Sequence, residues 1–409
     1  MEKPLSKLCG ICYNNIENCL TRYVISHFHN RRIHMHLSRF SVFILAGLFI
    51  SAGMLAVSCS DDNKPLAPTG AWSWAPLGSG MGVGFLKIEA LTVFDGRLIA
   101  GGHFSTAGGN TAYNISAWDD SSWSPLSSGL LGGSSPQVCA LAVFGGKLIA
   151  GGEFTLSGVT NVYNIAAWDG SAWSPLSSGM DSAVFALTVY DNKLIAGGSF
   201  SLAGGISFNR IAAWDGFSWT PLGAGVDGMV LALTVYDGKL IAGGSFTEAG
   251  GIGANRIATW DGSSWSPLGD GMNRNDVTSL TVYDNQLIAG GSFSQAGGID
   301  ANNIAAWNGS SWSPLGIGTD GYVLALAQFS NELIAGGEFL QAGGTVTNGI
   351  AAWNGSSWKP LGLGISGSIG GNWPTVYCLA ERDTNLYVGG QFTTADSTTV
   401  NCIAEWRFK

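Results

Sequence analysis

Leu240-Ile-Ala-Gly-Gly-Ser-Phe246, followed by Arg256-Ile-Ala-Thr-Trp-Asp-Gly-Ser-Ser-Trp-Ser-Pro-Leu268, decides the fold because it recurs along the chain. Its Leu-Ile-Ala-Gly-Gly core begins at Leu98, Leu148, Leu194, Leu240, Leu287 and Leu333, with a variant, Leu-Tyr-Val-Gly-Gly, at Leu386. These starts lie 46 to 53 residues apart, a spacing that suits the blades of a propeller. A second element ends in Trp118, Trp168, Trp214, Trp260, Trp307, Trp353 and Trp406, and a third, Trp-x-Pro-Leu, begins at Trp74, Trp123, Trp173, Trp219, Trp265, Trp312 and Trp358. Each element occurs seven times, but the chain opens with an unaccompanied third element and closes with a second.

One unit reads as four short strands. Ala232–Tyr236 is apolar and β-branched, and Asp237-Gly238 supplies the positive-φ residues of a two-residue hairpin. Lys239–Phe246 follows as the second strand, Ile257–Trp260 as the third, and Asp261-Gly262 turns the chain into a fourth at Trp265. Side-chain alternation puts Trp260 and Trp265 on one face and Ile257 on the other. Apolar groups on both faces predict a sheet covered on both sides, as in stacked blades. The reading is all-β: a seven-bladed β-propeller of four-stranded antiparallel blades. Its ring closes when the N-terminal strand at Trp74 completes the last blade, supplied by residues 375–408, and so removes an open edge.

Gly-Gly after an apolar strand, Trp on the third and Trp-x-x-Leu on the fourth resemble kelch-type propellers. The fuller string, Gly-Gly-Ser-Phe-(Ser/Thr)-x-Ala-Gly-Gly running on to Trp-Asp-Gly-Ser-Ser-Trp, is also similar to repeats of the fungal cortical marker for cell polarity. The resemblance covers roughly residues 72–409; it implies the fold and leaves the activity open.

The first 58 residues differ from the rest, holding four of the five His and three of the seven Cys. Arg31, Arg32 and Arg39 precede an apolar run, Phe40–Ala56, and small residues lead to Cys59, the order of a secretory signal. With Cys at the processing point the segment resembles a bacterial lipoprotein signal, which implies lipidation of Cys59. The expected organisation is a leader over 1–58 with a true start at Met35, a lipidated tether over 59–70 and a propeller over 71–409. An uncleaved anchor helix is the competing reading, although the run is short of the ~20 residues of a span. Cys9-x-x-Cys12 has metal-like spacing, but no second Cys pair follows it and it precedes the signal.

Gly is 61 of 409 residues and charged residues are 11%, against about 7% and about 25% in ordinary chains; both fit many tight turns between two-faced strands. From residue 60 onward, 13 Lys and Arg face 26 Asp and Glu, a net of −13. With no basic patch, nucleic acid is not an expected partner. Cys378 and Cys402 fall on strands separated by another, so buried thiols are expected rather than a disulfide.

The propeller holds a single His, His103, too few for a multi-His metal site or an obvious Ser-His-Asp triad. The copper ligands of galactose oxidase, whose central domain is kelch-like, have no counterpart, and Trp-Asp-Gly-Ser-Ser-Trp departs from the sialidase Asp box. No cofactor is expected. Variation within a fixed repeat is where a binding face would be written. The residue after Gly-Gly is His103, Glu153, Ser199, Ser245, Ser292, Glu338 or Gln391, and the inter-blade loops bring Asp181, Asp227, Asp276 and Asp320, with Met229, Tyr322 and Trp373 nearby. Both sets are expected on one face. They read either as a surface for a sugar chain or cation, or as turn-capping Asp residues and a polar ring bonded to loop backbone. Glu153 and Glu338 fall in the second and sixth blades, too far around the ring for the about 5–9.5 Å of a glycosidase pair.

The leading reading is a non-catalytic, envelope-anchored recognition or scaffold module that binds a glycan or an envelope or extracellular protein on its loop face. It touches the membrane only through Cys59, at the outer membrane or cell surface. The alternative is a secreted carbohydrate-active lyase or hydrolase using loop-face carboxylates. A third reading is stable packing with no ligand.

Overall fold

The unit quoted above folds in this computed structural model, which describes residues 70–82 and 86–409, as four strands in the sheet order first, second, third, fourth. They run Val230–Tyr236, Lys239–Gly244, Ile257–Trp260 and Trp265–Pro267. Asp237 (φ 49°) and Gly238 (φ 69°) make the expected hairpin turn. The second strand ends before Phe246, and the Gly-rich connection after it is itself a small hairpin, Glu248–Ala249 with Ile252–Gly253. The first strand starts earlier than the pattern suggested, because a bulge inserts Leu231 between Val230 and Ala232.

Seven such sheets follow one another, over residues 87–125, 137–175, 184–221, 230–267, 277–314, 322–360, and 375–408 with 72–76. We number these blades one to seven. The first strands line a central channel. In blade seven Trp72–Pro76 pairs with Ile403–Phe408 from Trp72↔Phe408 to Pro76↔Ala404, so the N-terminal strand does close the ring. The leader, the Cys9-x-x-Cys12 pair, Cys59 and the tether up to residue 69 lie outside the described residues.

The core lies between blades. Leu240, Ala242, Trp260 and Trp265 of blade four pack on Ile195 and Ile211 of blade three, whereas Ile241 and Ile257 turn the other way onto Val277 and Leu287 of blade five. The Gly-Gly pair makes this stacking possible. A Cβ on Gly243 would lie 2.5 Å from Val277 Cγ1 of the next blade, and one on Gly244 would collide with Met229 O.

Trp-x-Pro-Leu acts as a clasp between blades. The indole N–H of Trp265 donates to Leu222 O of the preceding blade at 2.8 Å, that of Trp312 to Leu268 O at 2.9 Å, and that of Trp358 to Leu315 O at 2.9 Å. The same bond joins every neighbouring pair, and Trp74 to Leu361 O at 3.2 Å completes the circle. Cys139, Cys378 and Cys402 are free thiols. Burial pushes Cys402 up to about 12 and the other two well above the ordinary thiol value.

Candidate functional site

Each inter-blade connection meets the small hairpin between the second and third strands of the blade it enters. Val226 bridges Ala249, Met272 bridges Ala296 and Thr319 bridges Ala342, and in blade seven Ile365–Ser366 pairs with Thr394–Ala395. The two variable sets therefore share one face, which we term the loop face. The Asp-Gly turns lie on the other, hairpin-turn face.

Three of the inter-blade aspartates hold this face together. Asp227 accepts the N–H groups of Thr247 (2.7 Å) and Glu248 (2.8 Å) and the Thr247 hydroxyl (2.7 Å). Asp181 does the same with Ser201 and Leu202, and Asp320 accepts from the N–H groups of Leu340 and Gln341, both at 2.8 Å. Burial opposes the charge on Asp181 and Asp227, but the hydroxyl and N–H donors outweigh it and lower both pKa values. In blade five this position is Asn273, bonded to the N–H groups of Ser294 and Gln295. Asp276 sits elsewhere, before the bulge, where its N–H donates to Ser292 Oγ.

The residues after Gly-Gly separate into different surroundings. Glu338 and Asp320 line a cleft of about 370 Å³ between blades six and seven, with Phe339, Leu340, Ile365 and Trp373. Tyr322 stands opposite Glu338 in register and is half exposed. Trp373, 65% exposed, belongs to the longest inter-blade connection, residues 362–375 between Leu361 and Val376, against 223–229 between Leu222 and Val230. No hydrogen bond to protein holds the Glu338 carboxylate among the described residues.

His103 and Gln391 line a second cavity, of about 320 Å³, with Lys87, Gln137, Asn372 and Tyr377. Glu153 is not part of this lining; it stands opposite Gln137 in register, and Ser134 Oγ donates to it at 3.4 Å. Asn372 and Trp373 are neighbours in the chain, so one loop walls both cavities.

Lys87, Glu89 and Tyr377 were not singled out by the repeat pattern. Lys87 Nζ donates to Glu89 Oε1 at 2.7 Å and lies 5.9 Å from the centre of the Tyr377 ring. Burial works against the Lys87 ammonium, yet the Glu89 charge and hydrogen bond lift its pKa above the ordinary lysine value. Burial likewise raises the Tyr377 phenol. Glu89 and Tyr377 are bulge residues, and so are Cys139, Phe185, Leu231, Thr278 and Leu324 in the other blades. Bulges re-aim side chains, and they gather near functional sites. The signal was present: this position varies in kind between Val or Ile and the small residue before Leu.

A family model described as a domain of unknown function (DUF5122) beta-propeller matches residues 237–258. A search of curated proteins finds no match. Among solved structures, the WD40 beta propeller domain of Doa1 is similar at a TM-score of 0.50 and 12% identity, covering 82% of this chain and 97% of that one. The computationally designed Ika8 protein gives a TM-score of 0.46 at 17% identity, covering 81% of this chain and 99% of that one. With the seven sheets described above, the family-model match and the likeness to the Doa1 domain identify residues 70–409 as a β-propeller domain.

Proposed function

We propose that this propeller is a non-catalytic recognition module, kelch-type in its repeat and held at the cell envelope by a lipid on Cys59, that binds a protein segment in the cleft at Trp373. The observation that carries this is positional: the longest inter-blade connection lays an exposed Trp over an apolar cleft beside Glu338. Leu340, which lines the cleft, is also more than half exposed, and clustered apolar exposure of this kind marks interaction surfaces. The cleft's carboxylates and the net charge of −13 from residue 60 onward favour a cationic partner. The occupant is an extended segment with an apolar side chain next to Lys or Arg. The closing strand runs from the hairpin-turn face at Trp72 to the loop face at Pro76.

A sugar chain is the second reading, favoured by the flat Trp373 ring beside Glu338. The enzyme alternative rests on Asp320 and Glu338 together; two backbone N–H groups already occupy Asp320 Oδ1, which supports binding over turnover. The test is a fluorescence titration with short peptides pairing Leu or Phe with Lys, against the same peptides carrying Glu, and against neutral oligosaccharides. We expect saturable binding of the Lys peptides and a loss of about 30-fold in Trp373→Ala, as for an interface Trp worth about 2 kcal/mol. Preference for the oligosaccharides transfers the site to the second reading, and product formed from them ends the non-catalytic one.

A further inference from the structure

The cavity at the mouth of the channel is unlike the rest of this acidic surface. Each of its lining side chains can donate a hydrogen bond and none is a carboxylate. Glu89 lines the channel instead, and it engages only one of the three Lys87 donors, on a lysine side chain still 30% exposed. Gln391 is 5% exposed, yet its amide makes no hydrogen bond to protein among the described residues. Gln391 lines the cavity, where a bound hydroxyl would give its amide a partner. Gln137 and Asn372 add two more amides, each offering both a donor and an acceptor, the complement of a hydroxyl.

We propose that this cavity binds a small carboxylated polyol, of which a uronic acid unit is the type, with its carboxylate on Lys87 and His103 and its hydroxyls on the amides of Gln137, Asn372 and Gln391. A volume of about 320 Å³ lies at the lower end of the range for ligand pockets, about 300–1,000 Å³, and suits one sugar ring. A neutral sugar would offer no charge to the two Lys87 donors that Glu89 leaves free, whereas a sugar acid satisfies both halves of the lining. The site is separate from the peptide cleft, and its probe contains no peptide.

The experiment is calorimetric titration of the full chain with glucuronate, glucose and acetate, alongside the ring resonances of His103, assigned by difference from His103→Gln. Glucuronate is expected to bind saturably and shift those resonances, with glucose and acetate at least tenfold weaker. Gln391→Leu should weaken glucuronate binding at least tenfold. So should the pair Lys87→Met with Glu89→Gln, which removes both charges together and leaves none stranded. A uronic acid oligomer that binds more tightly than the monomer assigns the source to a polysaccharide, and equal binding assigns it to the free acid. Absence of saturable glucuronate binding, equal affinity for glucose, or indifference to both variants overturns the proposal.

Discussion

Blades four and seven solve the same problem by different means. In blade four the third and fourth strands are joined by the Asp261–Ser264 turn and pair over three positions, Ala258↔Pro267 to Trp260↔Trp265. In blade seven the fourth strand comes from the other end of the chain, and pairing extends over five positions, from Trp72↔Phe408 to Pro76↔Ala404. Bringing such distant segments together costs an open chain about 4 kcal/mol more than closing a four-residue turn. The seam offsets this with a longer ladder and more aromatic contact: Trp72 stacks on Trp406 at 6.2 Å and meets Phe408 and Phe329 edge-on. Its interface with blade one also becomes polar. Tyr387 and Glu405 stand where blade four has Ile241 and Thr259. Glu405 accepts from Tyr387 Oη at 3.0 Å, Asn385 Nδ2 at 2.8 Å and Arg407 at 3.0 Å, while Arg382 pairs with Asp120 of blade one. Burial, and then the Glu405 charge, push Tyr387 up to about 12. A covalent turn sets register locally; without one, register is set by pairing length and a specific polar network.

The sharpest way to break this contrast is to remove the same clasp in both blades. Trp265→Ala and Trp74→Ala each delete a buried indole and its inter-blade hydrogen bond, a loss of about 3–5 kcal/mol. Trp265→Ala should melt in one transition, because the Asp261 turn still holds its strand. Trp74→Ala should lose more stability and release 72–76, seen as fast hydrogen exchange in that segment and across 403–408. Equal exchange in the two variants would show that the seam needs no more than an ordinary blade. A smaller effect tests whether the blades stack alike. Gly243→Ala should cost about 1–3 kcal/mol through its contact with Val277, and Val277→Ala should recover part of it as a coupling of about 1 kcal/mol. A Cβ on Gly389 in blade seven would lie 2.6 Å from both Ile88 Cγ2 and Cys378 Sγ, so Gly389→Ala should cost a similar amount. If denaturant midpoints show it tolerated, the seam blade is the looser one.

The fold was legible because repetition turns weak local signals into a pattern. Asp237-Gly238 alone suggests a hairpin; its counterparts in the same place, with Trp74 and Trp406 left over at opposite ends, determine blade number and closure. The site was less legible for a physical reason. Variable Asp residues looked like a binding surface, yet Asp181, Asp227 and Asp320 are tied to backbone N–H groups of the next blade's hairpin, a role that Asn273 fills equally well. Glu338, Asp320 and Trp373 share a cleft, as their common face suggested, but that Glu338 and His103 line different cavities depends on which blades carry them and on how the 362–375 loop falls. Lys87 and Tyr377 were hidden because bulges shift side-chain parity by one residue, which alternation from the strand ends cannot detect.

The smallest expected effect separates the covalent joint from the seam by pH. Asp119 and Asp169, in the turns of blades one and two, are held down to about 2, Asp119 mainly by the Ser121 hydroxyl and Asp169 mainly by the Ala172 N–H. Asp215 and Asp261 are lowered too, chiefly by the N–H groups of Ser218 and Ser264. A carboxyl with a folded pKa below its unfolded value of about 3.9 contributes stability that is complete above that value and lost as pH falls toward 2. Blades five and six carry Asn308 and Asn354 in these turns, whose Oδ1 atoms accept the same pairs of N–H groups at 2.9 to 3.0 Å without a titrating charge. Blade seven has no such turn. Replacing all four aspartates with Asn should therefore leave the thermal midpoint near its wild-type value at pH 7 and make it fall less steeply between pH 4 and pH 2. If both proteins lose stability in parallel, acid sensitivity belongs to other carboxylates. The first to change would then be Asp181 and Asp227, whose hold on the loop face is also one of ionised oxygen on backbone N–H.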